Sequence, residues 1–199
     1  MCMAIDAAIY LTNKIIDLKV IDPKYQVDYF KLHKLLYFAQ GVMLAKYNKT
    51  MFNESIRAHR CGPAVDGLYP LYLKVGENEI NNKISLDSPI DLTENRKQVL
   101  DFIAKEYGKQ GRDSIIFATK EQEPYKTTWE EYTSNHATTD TFGNPEGFDE
   151  NFGSIYDVDC AFYSIIPIEL IRMYFLNSFT EVKDFIKEDN NAQQTPKTI

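Results

Sequence analysis

Hydrophobic positions along the chain recur mainly at the spacing of an α-helix. Between residues 5 and 18, Ala8, Leu11, Ile15 and Leu18 share one face, which predicts an amphipathic helix. Similar patterns predict further helices over about residues 66–75, 93–107, 113–120, 124–132 and from Pro167 to about Lys187. The chain is therefore expected to be mainly α-helical.

The segment "KLHKLLYFAQGVMLAKY", residues 31–47, has a different pattern, with apolar residues on nearly every side. The polar residues that interrupt it are Lys31, His33, Lys34, Gln40 and Lys46. A helix that is apolar all round belongs in the interior of a domain. The pattern predicts a central helix that the other helices surround, with Asp28 as its N-cap.

A small β element is predicted after this helix. Phe52, Ile56 and Ala58 alternate in part with polar residues, which indicates a short strand or hairpin arm. Gly62-Pro63 then imposes an extended or turn conformation, because a residue before proline avoids the helical region. The predicted fold is mainly α: a single compact helical domain around a central apolar helix, with a small β-hairpin.

The 199 residues suit one domain with a substantial core, predicted to span residues 1–188. Residues 133–163 are rich in Thr, Asn, Gly and Asp, which predicts a long acidic loop. Residues 189–199 are polar and are expected to form a flexible tail.

Composition indicates the cellular compartment in which the protein is expected. No apolar run reaches the ~20 residues that a membrane span needs, and the first residues lack the basic start of a signal peptide. Three cysteines without C-x-x-C spacing are expected to stay reduced in the cytoplasm. The 13 Tyr and 12 Phe leave room for a homo-oligomer without indicating one.

Charge is unevenly distributed along the chain, whose net charge is −7. Residues 1–126 hold 18 Lys and Arg against 16 Asp and Glu, whereas residues 127–199 hold 4 against 13. No Lys or Arg occurs from Thr127 to Ile171. Such a chain is a poor binder of nucleic acid, which requires basic surface. The acidic segment fits a basic protein partner, and a solvated acidic loop explains it equally well.

Candidate partner-binding residues follow from this distribution. The acidic candidates are Glu146, Asp149, Glu150, Asp157 and Asp159. Lys31 and Lys34 are three residues apart and so share a helix face. They could pair with acidic groups of this domain or of a partner, although the solvated or salt-bridged edge of a core helix is the favoured interpretation.

Catalytic patterns are weak in this sequence. None of the three histidines has a second ligand at the spacing of a helical zinc site, and neither a phosphate-binding nor a dinucleotide-binding glycine pattern occurs. His59 and Cys61 could form a nucleophilic pair, but a packed thiol beside the Gly-Pro turn is favoured. We expect no enzyme, no metal and no cofactor.

The block "FKLHKLLYFAQGVMLAKYNKTMFNESIRAHRCGPAV", residues 30–65, resembles the Panacea domain, the family of SocA-like antitoxins and the phage-associated protein GepA. It carries the order K-L-x-K-L-L-Y-[FY]-A-Q-G, L-A, [LM]-F-x-E-x-I-x-A and G-P. In "TKEQEPY", Thr119 and Pro124 match the family's T-H-x-x-x-P-W, while Lys120 replaces its His and Tyr125 its Trp. The resemblance covers about residues 4–187, and residues 133–163 depart from it as an insertion.

The resemblance implies a mostly helical antitoxin that binds and neutralises a cognate toxin. Because family members neutralise unrelated toxins, it does not identify the toxin. Delivery of the toxin to a protease is a second, less transferable role. The motif residues expected to be structural are Leu35, Leu36, Tyr37, Gln40, Gly41, Gly62, Pro63, Thr119 and Pro124. Tyr37 is expected to bury its ring and to need a partner for its hydroxyl.

Two other binding functions are alternatives to this one. A DNA-binding autorepressor would need a basic recognition helix, and the predicted helices are apolar or acidic, so we expect no sequence-specific DNA binding by this chain alone. A phage-encoded inhibitor or protease adaptor could act through the same acidic surface, without catalysis. The sequence favours an antitoxin that inhibits a basic protein toxin stoichiometrically.

Overall fold

The computed structural model describes residues 2–85, 92–135, 164–179 and 183–185. Its elements in chain order are α1 (Ala4–Ile21), α2 (Tyr29–Tyr47), β1 (Ile56–His59), β2 (Gly62–Val65), α3 (Tyr69–Val75), α4 (Glu94–Tyr107), α5 (Arg112–Lys120), α6 (Glu123–Asn135) and α7 (Ile168–Asn177). Residues 183–185 are also helical. The mainly α-helical fold with one small hairpin is therefore confirmed.

Helix α2 is the centre of the domain, as its apolar pattern predicts. Every residue from Lys31 to Leu44 is buried. The Asp28 carboxylate accepts the Lys31 backbone N–H at 2.9 Å, which confirms the predicted N-cap. The helix ends at Tyr47, and its C-cap, Asn48, adopts the left-handed conformation with φ 51°, which asparagine tolerates better than most residues.

Among the described elements, four helices pack around α2: α1, α4, α5 and α7. α1 also packs on α4. Aromatic rings join α2 to its neighbours: the Phe38 ring centroid lies 4.7 Å from that of Tyr107 and 6.2 Å from that of Phe175. The rings of Phe175 and Phe179 are 4.7 Å apart, so the aromatic cluster continues past the end of α7.

The β-hairpin packs on α2 and α5 through β2. β1 and β2 are antiparallel, with Ile56 opposite Val65 and His59 opposite Gly62. A third short segment lies beside β1, because Arg57 and Ile165 form an antiparallel bridge. The segment just before α7 is thus anchored to the hairpin.

Several boundaries differ from the sequence prediction. α3 begins at Tyr69 rather than near Asp66, with Pro70 in its first turn. Gly111, and not Asp113, is the N-cap of α5. α6 continues to Asn135, so the first residues assigned to the 133–163 loop are helical.

The prediction of one C-terminal helix from Pro167 to about Lys187 is wrong. α7 ends at Asn177, where the N–H groups of Ser178 and Phe179 both donate to the Tyr174 carbonyl, at 2.8 and 3.2 Å. The second bond spans five residues instead of four, and a carbonyl shared between two donors is common at a helix end. The rest of the predicted 133–163 insertion and the 189–199 tail lie outside the described residues, so the domain limits stay a prediction.

Candidate functional site

The polar residues of α2 bind the backbone of the chain that follows it. The His33 Nδ1 atom accepts the Val65 N–H at 2.9 Å, and the Lys34 ammonium donates to the Pro63 carbonyl at 3.0 Å. Both contacts reach β2. Since buried backbone groups need partners and a two-stranded hairpin leaves many of them unpaired, these side chains supply what a wider sheet would.

Gln40 holds the connection between α2 and the hairpin in the same way. Its side-chain oxygen accepts the N–H groups of Met51 and Phe52, at 2.7 and 3.4 Å, and its amide donates to the Phe52 carbonyl at 3.5 Å. A carboxamide carries an acceptor and a donor, so one side chain can replace a backbone partner.

Lys31 links two other parts of the chain, the α1–α2 connection and the end of α4. Its ammonium donates to the carbonyls of Gln26 and Gly108, at 2.6 and 2.7 Å. Burial lowers the pKa of Lys31 to about 8, although the nearby carboxylates of Asp28 and Glu79 favour its charged form.

The assignment of Lys31 and Lys34 to a solvated helix edge, or to contact with a partner, does not fit these positions. Their exposed fractions are 1% and 0%. The ammonium groups point inward because carbonyl oxygens there need donors, whereas helical periodicity alone places both residues on an exposed edge. The two lysines are internal structural cations, and their spacing in the sequence does not indicate that they are buried.

The hairpin turn forms a compact polar corner with α5 and α6. Gly62 has φ +90°, and a Cβ there would lie 3.1 Å from both the Lys34 Cε and the Thr119 Oγ1 atoms. The Thr119 hydroxyl donates to the carbonyls of Ile115 and Ile116. Gly62 therefore combines a backbone conformation that disfavours a side chain with a space in which a Cβ would be tightly packed.

His59 is built into this corner. Its Nδ1 atom accepts the Cys61 N–H at 3.2 Å, and its backbone carbonyl accepts the Tyr125 hydroxyl at 2.9 Å. Burial, followed by the charges of Lys34 and Arg60, lowers the pKa of His59 to about 3. A neutral imidazole whose Nδ1 atom accepts a backbone N–H has a structural role here.

The motif segments therefore meet in space, although 55 residues lie between Pro63 and Thr119 in the chain. Sequence reasoning missed that Tyr125 donates to His59 and that Lys120 lies against Gly62. Pro124 is buried in the first turn of α6 and so helps to fix Tyr125. The one available signal was that both segments belong to the same family pattern.

The opposite side of α2 contacts its neighbours through apolar groups. Leu35 and Leu36 are fully buried. A Cβ at Gly41 would lie 2.4 Å from the Phe175 ring, so the missing side chain lets α7 approach. Tyr37 is also fully buried, as expected, but its hydroxyl finds no hydrogen-bond partner among the described residues.

The acidic candidates lie outside the described residues, and their role stays a prediction. They are Glu146, Asp149, Glu150, Asp157 and Asp159. Of the acidic segment's described part, Glu130, Glu131 and Glu169 are exposed. Within the described ranges, no group of three or more His, Cys, Asp or Glu could hold a metal ion. No helix there is long and apolar enough to cross a bilayer.

These features define a class of protein: a mainly helical domain whose motif residues build the fold around a buried helix. Residues 32–130 match the family model described as "Antitoxin SocA-like, Panacea domain". The chain belongs to this SocA-like Panacea family, as the motif block predicts. Comparison with curated proteins and with solved structures gives no match.

Proposed function

We propose that this protein is the antitoxin of a toxin–antitoxin pair and that it neutralises a cognate protein toxin by direct binding. The observation that carries this proposal is the match of residues 32–130 to an antitoxin-like family. The protein acts in the cytoplasm and without catalysis.

The arrangement of the described residues supports binding rather than chemistry. Three groups with reactive potential on α2 and the hairpin are buried and hydrogen-bonded to backbone: His33, Lys34 and His59. Because each already stabilises the fold, substrate chemistry at these groups would disrupt the hairpin. Partner binding then falls to the exposed surface of the domain.

Charge indicates the kind of partner. Residues 127–199 hold 4 Lys and Arg against 13 Asp and Glu, so this part of the chain attracts basic surfaces. Electrostatic complementarity of this kind mainly speeds association and selects the partner. A toxin with a basic site, which would be masked in the complex, fits the proposal.

Co-expression tests the proposal directly. The protein encoded by the neighbouring gene should arrest growth when expressed alone, and this protein should restore growth and co-purify with it. A harmless neighbour and an empty pull-down would contradict the antitoxin function and favour a stand-alone inhibitor or adaptor.

A second experiment tests the acidic segment. Replacing Glu146, Asp149, Glu150, Asp157 and Asp159 together by lysine should slow association with the toxin and flatten its salt dependence. The matched control replaces five exposed acidic residues outside this segment by lysine, namely Glu77, Glu94, Glu106, Asp113 and Glu123, which changes the net charge equally. If the first variant associates at the wild-type rate in low salt, the acidic segment does not steer docking.

A further inference from the structure

A cavity of about 270 Å³ opens where α2, α5 and α7 meet the end of α4. Four aromatic residues line it, namely Phe38, Tyr107, Tyr174 and Phe179. The ring centroid of Phe179 lies 5.6 Å from that of Phe38 and 6.2 Å from that of Tyr174. All of the lining residues lie within the described ranges, so the packed helices themselves shape this space.

A buried polar group on the wall of this cavity lacks a hydrogen-bond partner. Gln122 lines the cavity and is 4% exposed. Its side-chain oxygen is buried and has no hydrogen-bond partner among the described residues. Most buried polar atoms in folded proteins are hydrogen-bonded, because an unsatisfied acceptor has lost its hydration without compensation. A ligand in the cavity that donates a hydrogen bond would restore this contact.

The backbone at Gln122 is already held in place by its neighbours. Gln122 lies between α5 and α6, where its N–H donates to the Thr119 carbonyl at 3.4 Å and its carbonyl accepts the Lys126 N–H at 3.0 Å. Binding at a site whose backbone is ordered beforehand costs less conformational entropy than binding at a loose one. The carboxamide and the aromatic wall are therefore prepared for a ligand without rearrangement of the chain.

We propose that this cavity binds a small uncharged heteroaromatic molecule, which packs on the aromatic wall and donates a hydrogen bond to the Gln122 side-chain oxygen. Aromatic rings pack favourably against other rings in offset or edge-to-face arrangements. The remaining described lining residues are Gln110, Ala118 and Ser178, so no charged side chain lines the cavity. A charged ligand would lose hydration there without gaining an opposite charge.

The volume of the cavity indicates the size of this ligand. An apolar cavity of ~150 Å³ in another protein holds benzene, whereas drug-sized ligands occupy pockets of roughly 300–1,000 Å³. A cavity of about 270 Å³ lies between these sizes and fits a ring system of two fused rings. The inference goes beyond the proposed function and does not depend on it, because it concerns a small molecule rather than a protein partner.

Indole and benzofuran are a matched pair of probes, because they share one shape and only indole carries a ring N–H. The full-length chain, labelled with nitrogen-15 at glutamine, is titrated with each compound and followed by NMR. Indole should shift the side-chain amide signals of Gln122 and Gln110. Benzofuran should bind about tenfold more weakly, which corresponds to ~1.4 kcal/mol. Equal affinities for the two compounds, or shifts that spare Gln122, would overturn the proposal.

Protein variants locate the site. Gln122→Leu should bind indole and benzofuran equally, since it removes the acceptor. Ala118→Phe should abolish binding of both, because Ala118 is exposed on α5 and a larger side chain there fills the cavity from outside the core. Gln26→Leu is the matched control at an exposed glutamine outside the cavity and should bind as the wild type does. Circular dichroism checks that the variants are folded. Wild-type affinity for indole in Ala118→Phe would place the site elsewhere and contradict the proposal.

A further probe separates a small molecule from a side chain of a protein partner. N-acetyltryptophanamide carries the indole ring on a piece of peptide backbone. If it shifts the Gln122 signals and indole does not, the cavity accepts an aromatic side chain and the small-molecule inference is wrong. The titrations use the isolated chain, so their outcome is independent of whether co-expression restores growth. The antitoxin function and the ligand site can therefore fail separately.

Discussion

The two sides of the central helix are both buried, but different physical requirements determine their residues. Toward the hairpin, α2 carries His33, Lys34 and Gln40, each hydrogen-bonded to backbone. Toward α7, it carries Tyr37 and Gly41 against the Phe175 ring. One side satisfies the polar groups of irregular chain, and the other adjusts the shape of an apolar interface.

The difference shows why this helix is not simply apolar all round. A neighbouring helix satisfies its own backbone hydrogen bonds, so only shape matters at α7. The hairpin and the loop before it cannot do so, and the cost of an unsatisfied buried group, ~1–3 kcal/mol, selects polar side chains on α2. The stability effect of a substitution at a titratable group on the polar side should therefore depend on pH. On the apolar side, the stability effect should depend on the side-chain volume that is added or removed.

The largest expected effect is acid destabilisation through His59. The pKa of this imidazole is about 3 in the folded protein against 6.5 for an ordinary histidine, so the unfolded chain binds the proton first as pH falls. Its contribution is fully present above pH 6.5 and is lost as pH falls toward 3. At ~1.4 kcal/mol per pH unit, the loss reaches about 4–5 kcal/mol.

The variant His59→Asn isolates this effect, because the asparagine oxygen can still accept the Cys61 N–H but does not titrate. Urea unfolding of the wild type and the variant should be compared at several pH values between 7 and 4. The stability difference between the two proteins should change steadily in the variant's favour as pH falls. A constant difference would show that the pKa of His59 is the same in the folded and the unfolded protein.

On the apolar side, truncation should reduce stability at every pH. Leu35 and Leu36 are fully buried, and Leu35→Ala or Leu36→Ala should each cost ~2–5 kcal/mol through lost burial and a residual cavity. Thermal and urea unfolding measure this cost. Leu73→Ala, at an exposed position on α3, is the control and should change stability little. A Leu35→Ala protein as stable as the wild type would contradict the central position of α2.

Much of this fold was predictable from the sequence because apolar periodicity is strong. The near-continuous apolar character of residues 31–47 and the Asp28 cap predicted α2 correctly. Gly62-Pro63 correctly indicated an extended chain after a short strand. Such signals are local, because residues close in sequence determine the backbone conformation of these segments.

The roles of the polar residues could not be predicted in the same way. Lys31 and Lys34 have the spacing of an exposed helix edge, and only the positions of the Gly108 and Pro63 carbonyls explain their burial. The end of α7 at Asn177 was missed because the apolar pattern continues beyond it. Contacts between distant segments determine both outcomes, and periodicity contains no information about them.

A smaller effect is expected where α2 meets α7. Gly41→Ala would place a Cβ 2.4 Å from the Phe175 ring, and this overpacking should cost ~1–3 kcal/mol even though alanine favours the helix. Combining it with Phe175→Leu should cost less than the sum of the two single changes, because the smaller side chain makes room. Urea unfolding of the four proteins measures this coupling, and strict additivity would contradict the contact.

The smallest effects are expected from the removal of two buried tyrosine hydroxyls. One lies beside the hairpin and the other on the apolar side of α2, so the pair gives the most direct comparison of the two sides. The Tyr125 hydroxyl donates to the His59 carbonyl at 2.9 Å, so Tyr125→Phe leaves a buried acceptor without that donor and should cost ~1–3 kcal/mol. The Tyr37 hydroxyl has no partner among the described residues, and burial raises its pKa.

Tyr37→Phe should therefore be neutral or should stabilise the protein by up to ~1 kcal/mol, since it removes a buried polar group that gains nothing from the fold. Both variants remove one oxygen from a buried ring, so their unfolding free energies can be compared directly. A cost for Tyr37→Phe equal to that of Tyr125→Phe would mean that the Tyr37 hydroxyl is hydrogen-bonded in solution. The apolar side of α2 would then also contain a polar contact, and the distinction between its two sides would no longer hold.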